Sequence, residues 1–132
     1  MLECGMSQPI EDASVHSWSK LVTDRPMALI ERQRVIGEQM MVSRVFLHKG
    51  CDVPTHKHVN EQMSIVLSGR VRFGFGDVGS PERREVEVGA GEIVQLPAWV
   101  PHSALAIEDT LILDMFSPPS AITGIDEKKI SR

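Results

Sequence analysis

His56 and His58 stand one residue apart, Gln62 follows, and a third histidine, His102, lies downstream in a Pro-rich stretch. Imidazole is the commonest transition-metal ligand, and three imidazoles with an amide oxygen would form a donor set for a divalent ion. Side chains at i and i+2 of a β-strand leave the same face, so the spacing predicts that His56 and His58 aim at one point. A lone His-x-His pair is weak evidence, but this one is framed. Gly50 and Pro54 precede it, and Gln62 opens an apolar run that stops at Gly69. Gly91, Pro97 and His102 form a second frame, with another strand, another turn and one more imidazole. His16 and His48 fall outside both frames and read as surface or packing residues.

Strands must position such a site, and the chain reads as β throughout. Residues 27–35 and 39–47 carry β-branched and apolar side chains at period two around a Gly37-Glu38 turn. The His-x-His segment comes next, then Gln62–Leu67, a Ser68-Gly69 turn and Arg70–Phe75, where Val71, Phe73 and Phe75 share a face. Residues 76–81 read as a loop, and strands follow near 84–88, 92–96, 102–107 and 110–116. Short strands, close turns and no amphipathic helix predict an all-β, antiparallel, double-sheet or closed fold.

The two frames resemble the sequence motifs of the cupin superfamily. Gly50, His56, His58, Gln62 and Gly69 keep every spacing of the first motif, with Gln62 where glutamate is usual. Gly91, Pro97, Trp99, His102 and Ala106 follow the second, which keeps its histidine but loses a glycine at Trp99 and an asparagine at Ala106. The resemblance covers roughly residues 27–119 and implies a cupin jelly roll. It makes residues 1–132 one cupin domain, with a polar N-terminal flank and, after Pro118-Pro119-Ser120, a charged C-terminal tail that ends in Asp126–Lys129, either a short helix or disordered. His56, His58, Gln62 and His102 are the expected metal ligands. This set is neutral, so a bound ion keeps its full charge, which favours Lewis-acid chemistry on an anionic or carbonyl substrate. Zinc, nickel, manganese, iron and copper all suit it, and the cofactor is read only as one divalent transition metal ion. Glu61 reads as a rim group, one position off the ligand spacing.

A narrower resemblance links the chain to the small cupins of pectin and alginate breakdown, which convert 4,5-unsaturated monouronates to linear keto acids. It rests on His56, His58, Glu61, Gln62, Pro97, Pro101, His102, Asp114, Phe116, Pro118 and Pro119. It implies that Asp114 handles a proton and Phe116 forms a pocket wall. Strand alternation independently puts Asp114 and Phe116 on one face. Asp114 also interrupts an apolar run, where an unpaired carboxylate is expensive. It is therefore either paired with an arginine or held in a pocket with an altered pKa. In the resembling enzymes an arginine follows the two prolines; here Ser120 stands there, and Arg44 is one arginine that could replace it from a neighbouring strand. Trp99 could overhang the pocket mouth or pack at an interface.

Composition restricts the partners. The chain has 132 residues, 42% hydrophobic content and a net charge of −4 with charges interspersed. No basic stripe exists to neutralise a phosphate backbone, which argues against nucleic acid. No apolar run reaches membrane-spanning length, and Met1–Pro9 has no secretory-signal pattern. Cys4 and Cys51 are too few for a disulfide framework, so a reducing cytoplasm is the expected location. Gln39–His48 and Gln62–Leu67 are apolar on both faces, with Met40, Met41, Met63 and Ile65, which predicts a homodimer. Three functions are compatible with these residues. One is a metal-dependent lyase, isomerase or ring-opening enzyme for a small sugar acid or other oxoacid. The others are an iron- or copper-dependent dioxygenase and a non-catalytic module that binds a small molecule or a metal.

Overall fold

Period-two alternation and closely spaced turns produce nine strands among the described residues. They are β1 (Ile30–Ile36), β2 (Met41–Leu47), β3 (Asp52–His56), β4 (Glu61–Ser68), β5 (Arg70–Phe75), β6 (Arg84–Gly89), β7 (Ile93–Leu96), β8 (His102–Ala106) and β9 (Thr110–Ser117). The computed structural model describes residues 12–125, so Cys4 and the Asp126–Lys129 tail lie outside the described residues. The strands form a five-stranded sheet, β1-β2-β9-β4-β7, and a four-stranded sheet, β3-β8-β5-β6, with antiparallel pairing throughout. This is the all-β jelly roll that the motifs implied. No helix among the described residues is long and apolar enough to cross a membrane.

The expected boundaries are met to within a few residues. The first strand starts at Ile30 rather than residue 27, because Met27–Leu29 form a turn with Leu29 at φ 69°. β1 and β2 pair from Ile30↔Leu47 to Ile36↔Met41, and Gly37 N–H donates to the Met40 carbonyl at 2.8 Å to close the turn. Gly69, the last glycine of the first frame, sits at φ 92°, and a Cβ there would overlap Asp109 and Thr110. The glycine is kept for a tight corner between β4 and β5.

The sheets enclose an apolar core that includes Val45, Val66, Val71, Phe73, Leu96 and Ile112. Each such side chain contributes about 1.5–3 kcal/mol when fully withdrawn from water. Beyond this core the inner face of the large sheet changes character. One rung aligns Ser43, Asp114 and Ser64 across β2, β9 and β4, and the next aligns Met41, Phe116 and Gln62. The outer face carries the opposite pattern. Val42, Met115 and Met63 form one outer rung, and Leu113, Ile65 and Ile93 continue another.

Candidate metal centre

His56 ends β3 and His102 opens β8, and the two are directly paired across the small sheet. His58 lies beyond the strand, so strand alternation alone does not explain its convergence with His56. Instead the loop is pinned: Trp99 N–H donates to the His58 carbonyl at 2.9 Å. Ligating nitrogens of the three rings lie within 4.8 Å of one another, and the ring centroids are 4.3 to 5.6 Å apart. Each ring has its Nδ1 against a carbonyl: His56 on Pro54 at 2.8 Å, His58 on Asn60 at 3.1 Å and His102 on Val100 at 2.9 Å. A carbonyl only accepts, so every Nδ1 must carry a proton. In a neutral ring this puts the lone pair on Nε2, the atom that would ligate a metal, the usual way a backbone acceptor fixes a histidine ligand. Burial, reinforced by His56, pushes the His102 pKa down to about 4, which keeps that ring neutral and able to ligate.

Gln62 is buried, whereas Glu61 is exposed. The Gln62 amide nitrogen donates to Ser64 Oγ at 3.0 Å and to Asp114 Oδ1 at 3.3 Å. Reversing the amide would set its oxygen against the carboxylate, so Asp114 dictates the orientation. Gln62 Oε1 consequently lies 3.0 Å from His58 Nε2, lone pair facing lone pair when the imidazole is neutral. Two acceptors held that close call for a cation between or beside them. The chemistry of the donor set therefore fits a divalent ion, and the three histidines could hold one.

Asp114 and Phe116 both face the cavity beside these rings, as alternation along β9 predicts. Phe116 packs edge-on to His58, with centroids 5.9 Å apart. Among the described residues Asp114 has no ion pair; Ser64 Oγ and the Gln62 amide donate to its Oδ1. Of the two environments left open by the sequence, the structure gives the pocket. Burial raises the Asp114 pKa to about 6, with the two hydrogen bonds opposing the rise.

Other expectations resolve differently. Arg44 faces outward, its guanidinium 5.8 Å from the Trp18 ring centroid and 3.3 Å from Gln33 Oε1. The arginine that lines the cavity is Arg32, from β1. Ser120 is occupied locally, donating to the Ile122 carbonyl at 2.8 Å. Trp99 is 58% exposed and does not line the cavity; its φ of 67° is a left-handed conformation that suits the glycine of the resembling motif better than a bulky residue. His48 pairs with Glu31 at 2.9 Å and His16 is exposed, so both stand apart from the site.

The segment after β9, where the sequence left a short helix or disorder open, forms no helix over residues 118–125 and supplies one wall of the cavity. Thr123 and Ile125 line it, and Gly124 lies so close to His56 that a Cβ would overlap the ring. Arg34 Nη1 holds the segment by donating to the Ala121 carbonyl at 2.9 Å. Asn60 ties its start, donating from Nδ2 to the Pro118 carbonyl. About 40 Å³ remains inside, room for a few waters. Sequence reasoning missed Arg32, Ser43, Ser64 and Thr123 among the lining residues. For the serines the signal was parity: Ser43 shares the inward phase of Val45, and Ser64 that of Gln62.

Two antiparallel sheets with three imidazoles turned into the space between them define a β-sandwich able to hold a metal. The family model for the cupin domain matches residues 43–116, more than half of the chain, and the chain belongs to this family. The fold is similar to KdgF from Halomonas sp., with TM-score 0.74 and 20% identity over 83% of this chain and 97% of that one. It is also similar to an RmlC-like cupin from Shewanella frigidimarina, with TM-score 0.73 and 20% identity over 83% and 95%. Oxalate decarboxylase from Lactobacillus farciminis, in complex with formate, aligns with TM-score 0.71 and 18% identity, over 84% of this chain but 35% of the longer enzyme. At these identities the likeness establishes the fold alone. No curated protein matches the chain.

Proposed function

We propose that the chain is a metal-dependent enzyme of the lyase or isomerase type, acting on a small oxoacid such as an unsaturated uronate. The observation that carries this reading is the coupling of a neutral donor set to one buried carboxylate through a single side chain, Gln62. His56, His58, His102 and Gln62 would hold a divalent ion, which supplies Lewis-acid polarisation of a substrate oxygen. Asp114, its ionised form disfavoured by burial, is suited to take a proton at one of its carboxylate oxygens and return it elsewhere on the substrate. Ser64 and Gln62 hold Oδ1 in place, so the carboxylate need not reorganise as its charge changes. Phe116 supplies an apolar wall that excludes water beside His58. A sugar ring would use the open side of this cavity, where Thr123 and Ile125 line it. KdgF from Halomonas sp. and an oxalate decarboxylase share this fold, which agrees with a small acid as ligand.

The working unit in this reading is a homodimer. The outer rungs Val42–Met115–Met63 and Leu113–Ile65–Ile93, which end in Gln95 and Arg44 respectively, make an apolar band with polar ends that a second copy of the same face would cover. A buried free thiol at Cys51, its pKa pushed up to about 11 by burial, accords with a reducing cytoplasm.

The test combines elemental analysis of the purified protein with an assay on 4,5-unsaturated galacturonate, followed by loss of its ultraviolet absorbance. Turnover by the metal-loaded protein, abolished in Asp114→Asn, is expected. A metal-loaded protein inert toward unsaturated uronates and simple oxoacids would leave a binding module. Oxygen consumption during turnover would instead mark a dioxygenase.

A further inference from the structure

The small sheet is irregular beside the metal ligands. Val53 pairs with Ala104 and His56 with His102, so three steps along β3 answer two along β8 and the register shifts at a bulge. Val53 and His56 line the inner cavity, whereas Pro54 and Thr55 both line a groove on the outer face of the sheet. Pro54 has no N–H to give to the ladder. The regular ladder is therefore interrupted next to the rung that carries two of the three imidazoles. The bulge also contains the Pro54 carbonyl, which accepts from His56 Nδ1 at 2.8 Å.

One side chain spans this interruption from behind. Arg83, in the loop before β6, donates from Nη1 to Thr55 Oγ1 at 3.1 Å and from Nη2 to Ser103 Oγ at 3.0 Å. Thr55 precedes His56 and Ser103 follows His102, so the fork joins the immediate neighbours of two paired ligands. Nη1 also donates to the Gly76 carbonyl at 2.8 Å, and Gly76 N–H donates to the Pro101 carbonyl at 2.9 Å, next to His102. The guanidinium is planar and rigid, so it sets the separation of the two hydroxyls. Room for it comes from Gly74, the cross-strand partner of Ser103, where a Cβ would lie 2.2 Å from Arg83 Nη2. Glu85 stands 3.9 Å away, so hydrogen bonds to neutral acceptors hold the group more than an ion pair does.

We propose that Arg83 is a positioning residue for the metal centre, a clamp on Thr55 and Ser103 that sets the spacing and aim of His56 and His102. This rests on the metal-binding reading above. Groups outside the ligand set that orient the ligands typically change metal affinity by about 10–100-fold when removed. The alternative is that Arg83 only fastens the loop before β6 to the sheet.

Zinc affinity, measured by competition with a chromophoric chelator, distinguishes the two. Arg83→Met keeps the stem and removes the fork, and Thr55→Val removes one hydroxyl while keeping the β-branched shape. Zinc is expected to bind about tenfold more weakly to Arg83→Met, and more weakly by a smaller factor to Thr55→Val. Electrostatics alone predicts the opposite sign for Arg83→Met, because removing a nearby positive charge favours a bound cation. In the cobalt-substituted protein the visible bands, which report coordination geometry, should shift in both variants. A merely structural Arg83 would lower the melting temperatures of the metal-free and zinc-loaded protein equally. Zinc affinity left unchanged by Arg83→Met overturns the clamp while the metal reading stands. If Arg83→Met fails to fold, Thr55→Val decides alone. Wild type that binds neither zinc nor cobalt overturns the metal reading itself, and the clamp with it.

Discussion

Asp114→Asn should make the metal-free protein more stable while abolishing the turnover proposed above. In the folded chain the Asp114 pKa rises from 3.8 to about 6, chiefly through burial. A rise of that size corresponds to about 2–3 kcal/mol of differential stability, allowing for water that reaches the carboxylate through the cavity. Below about pH 4 the group is protonated in both the folded and the unfolded chain, and it adds no penalty. As pH rises through 6, the unfolded chain has already released its proton, and the folded chain must ionise a carboxyl in a poor environment. Stability is therefore lost across that window in wild type and retained in the variant. Asparagine keeps an oxygen to accept from Ser64 and Gln62, so the hydrogen bonds to Oδ1 survive the change. Urea denaturation in the presence of a chelator, from pH 4 to pH 8, measures the difference directly. We expect matched stabilities near pH 4 and a gap of about 2–3 kcal/mol in favour of the variant at pH 8, equivalent to roughly 6–12 °C in melting temperature. A gap independent of pH, or a less stable variant at pH 8, would refute the argument that Asp114 sits ionised at a cost.

His102→Ala should abolish stabilisation by zinc. Wild type at a hundredfold excess over its Kd gains about 2.7 kcal/mol by mass action, and an equal thermal shift in the variant would exclude His102 from the site. Trp99→Gly should raise stability by about 1 kcal/mol, since the backbone at φ 67° suits glycine and the indole is mostly exposed. A lower melting temperature would show that the indole's contacts outweigh the backbone strain. Gly124→Ala should displace Thr123–Ile125, because the added Cβ overlaps His56. Faster proteolysis of that segment, with zinc still bound, is the expected result, and unchanged proteolysis would argue against the close approach.

What the sequence made legible was local. The jelly roll follows from alternation and turn glycines, and the metal motif from fixed spacings, all within short windows of chain. The missed parts depend on which strands become neighbours. Ser43 and Ser64 flank Asp114 only because β9 lies between β2 and β4, an order that no local pattern encodes. Arg32 shares the phase of Ile30, yet charged side chains are ordinarily assigned to solvent. Its burial depends on Asp24, carried by the segment before β1 and paired to it across a single bridge. The route of Thr123–Ile125 over His56 was invisible for a similar reason: Arg34 on β1 and Asn60 in the loop before β4, both distant in sequence, hold Ala121 and Pro118 just ahead of it.

The large sheet is inverted where it carries the site. Its inner face sets Ser43, Asp114, Ser64 and Gln62 where a conventional core would place valine and isoleucine. Its outer face carries Val42, Met63, Ile65, Leu113 and Met115 where water would normally be met. The inner inversion costs stability, through an ionised carboxylate at Asp114 and an unpaired hydroxyl at Ser43. The outer inversion is a way to recover it, since each apolar side chain fully covered contributes about 1.5–3 kcal/mol. A second copy laid on this face would need to complete the burial of only a few such side chains to offset the penalty at Asp114. On this argument self-association and the polar cavity are two sides of one sheet, and a chain able to keep that cavity would be one that pairs.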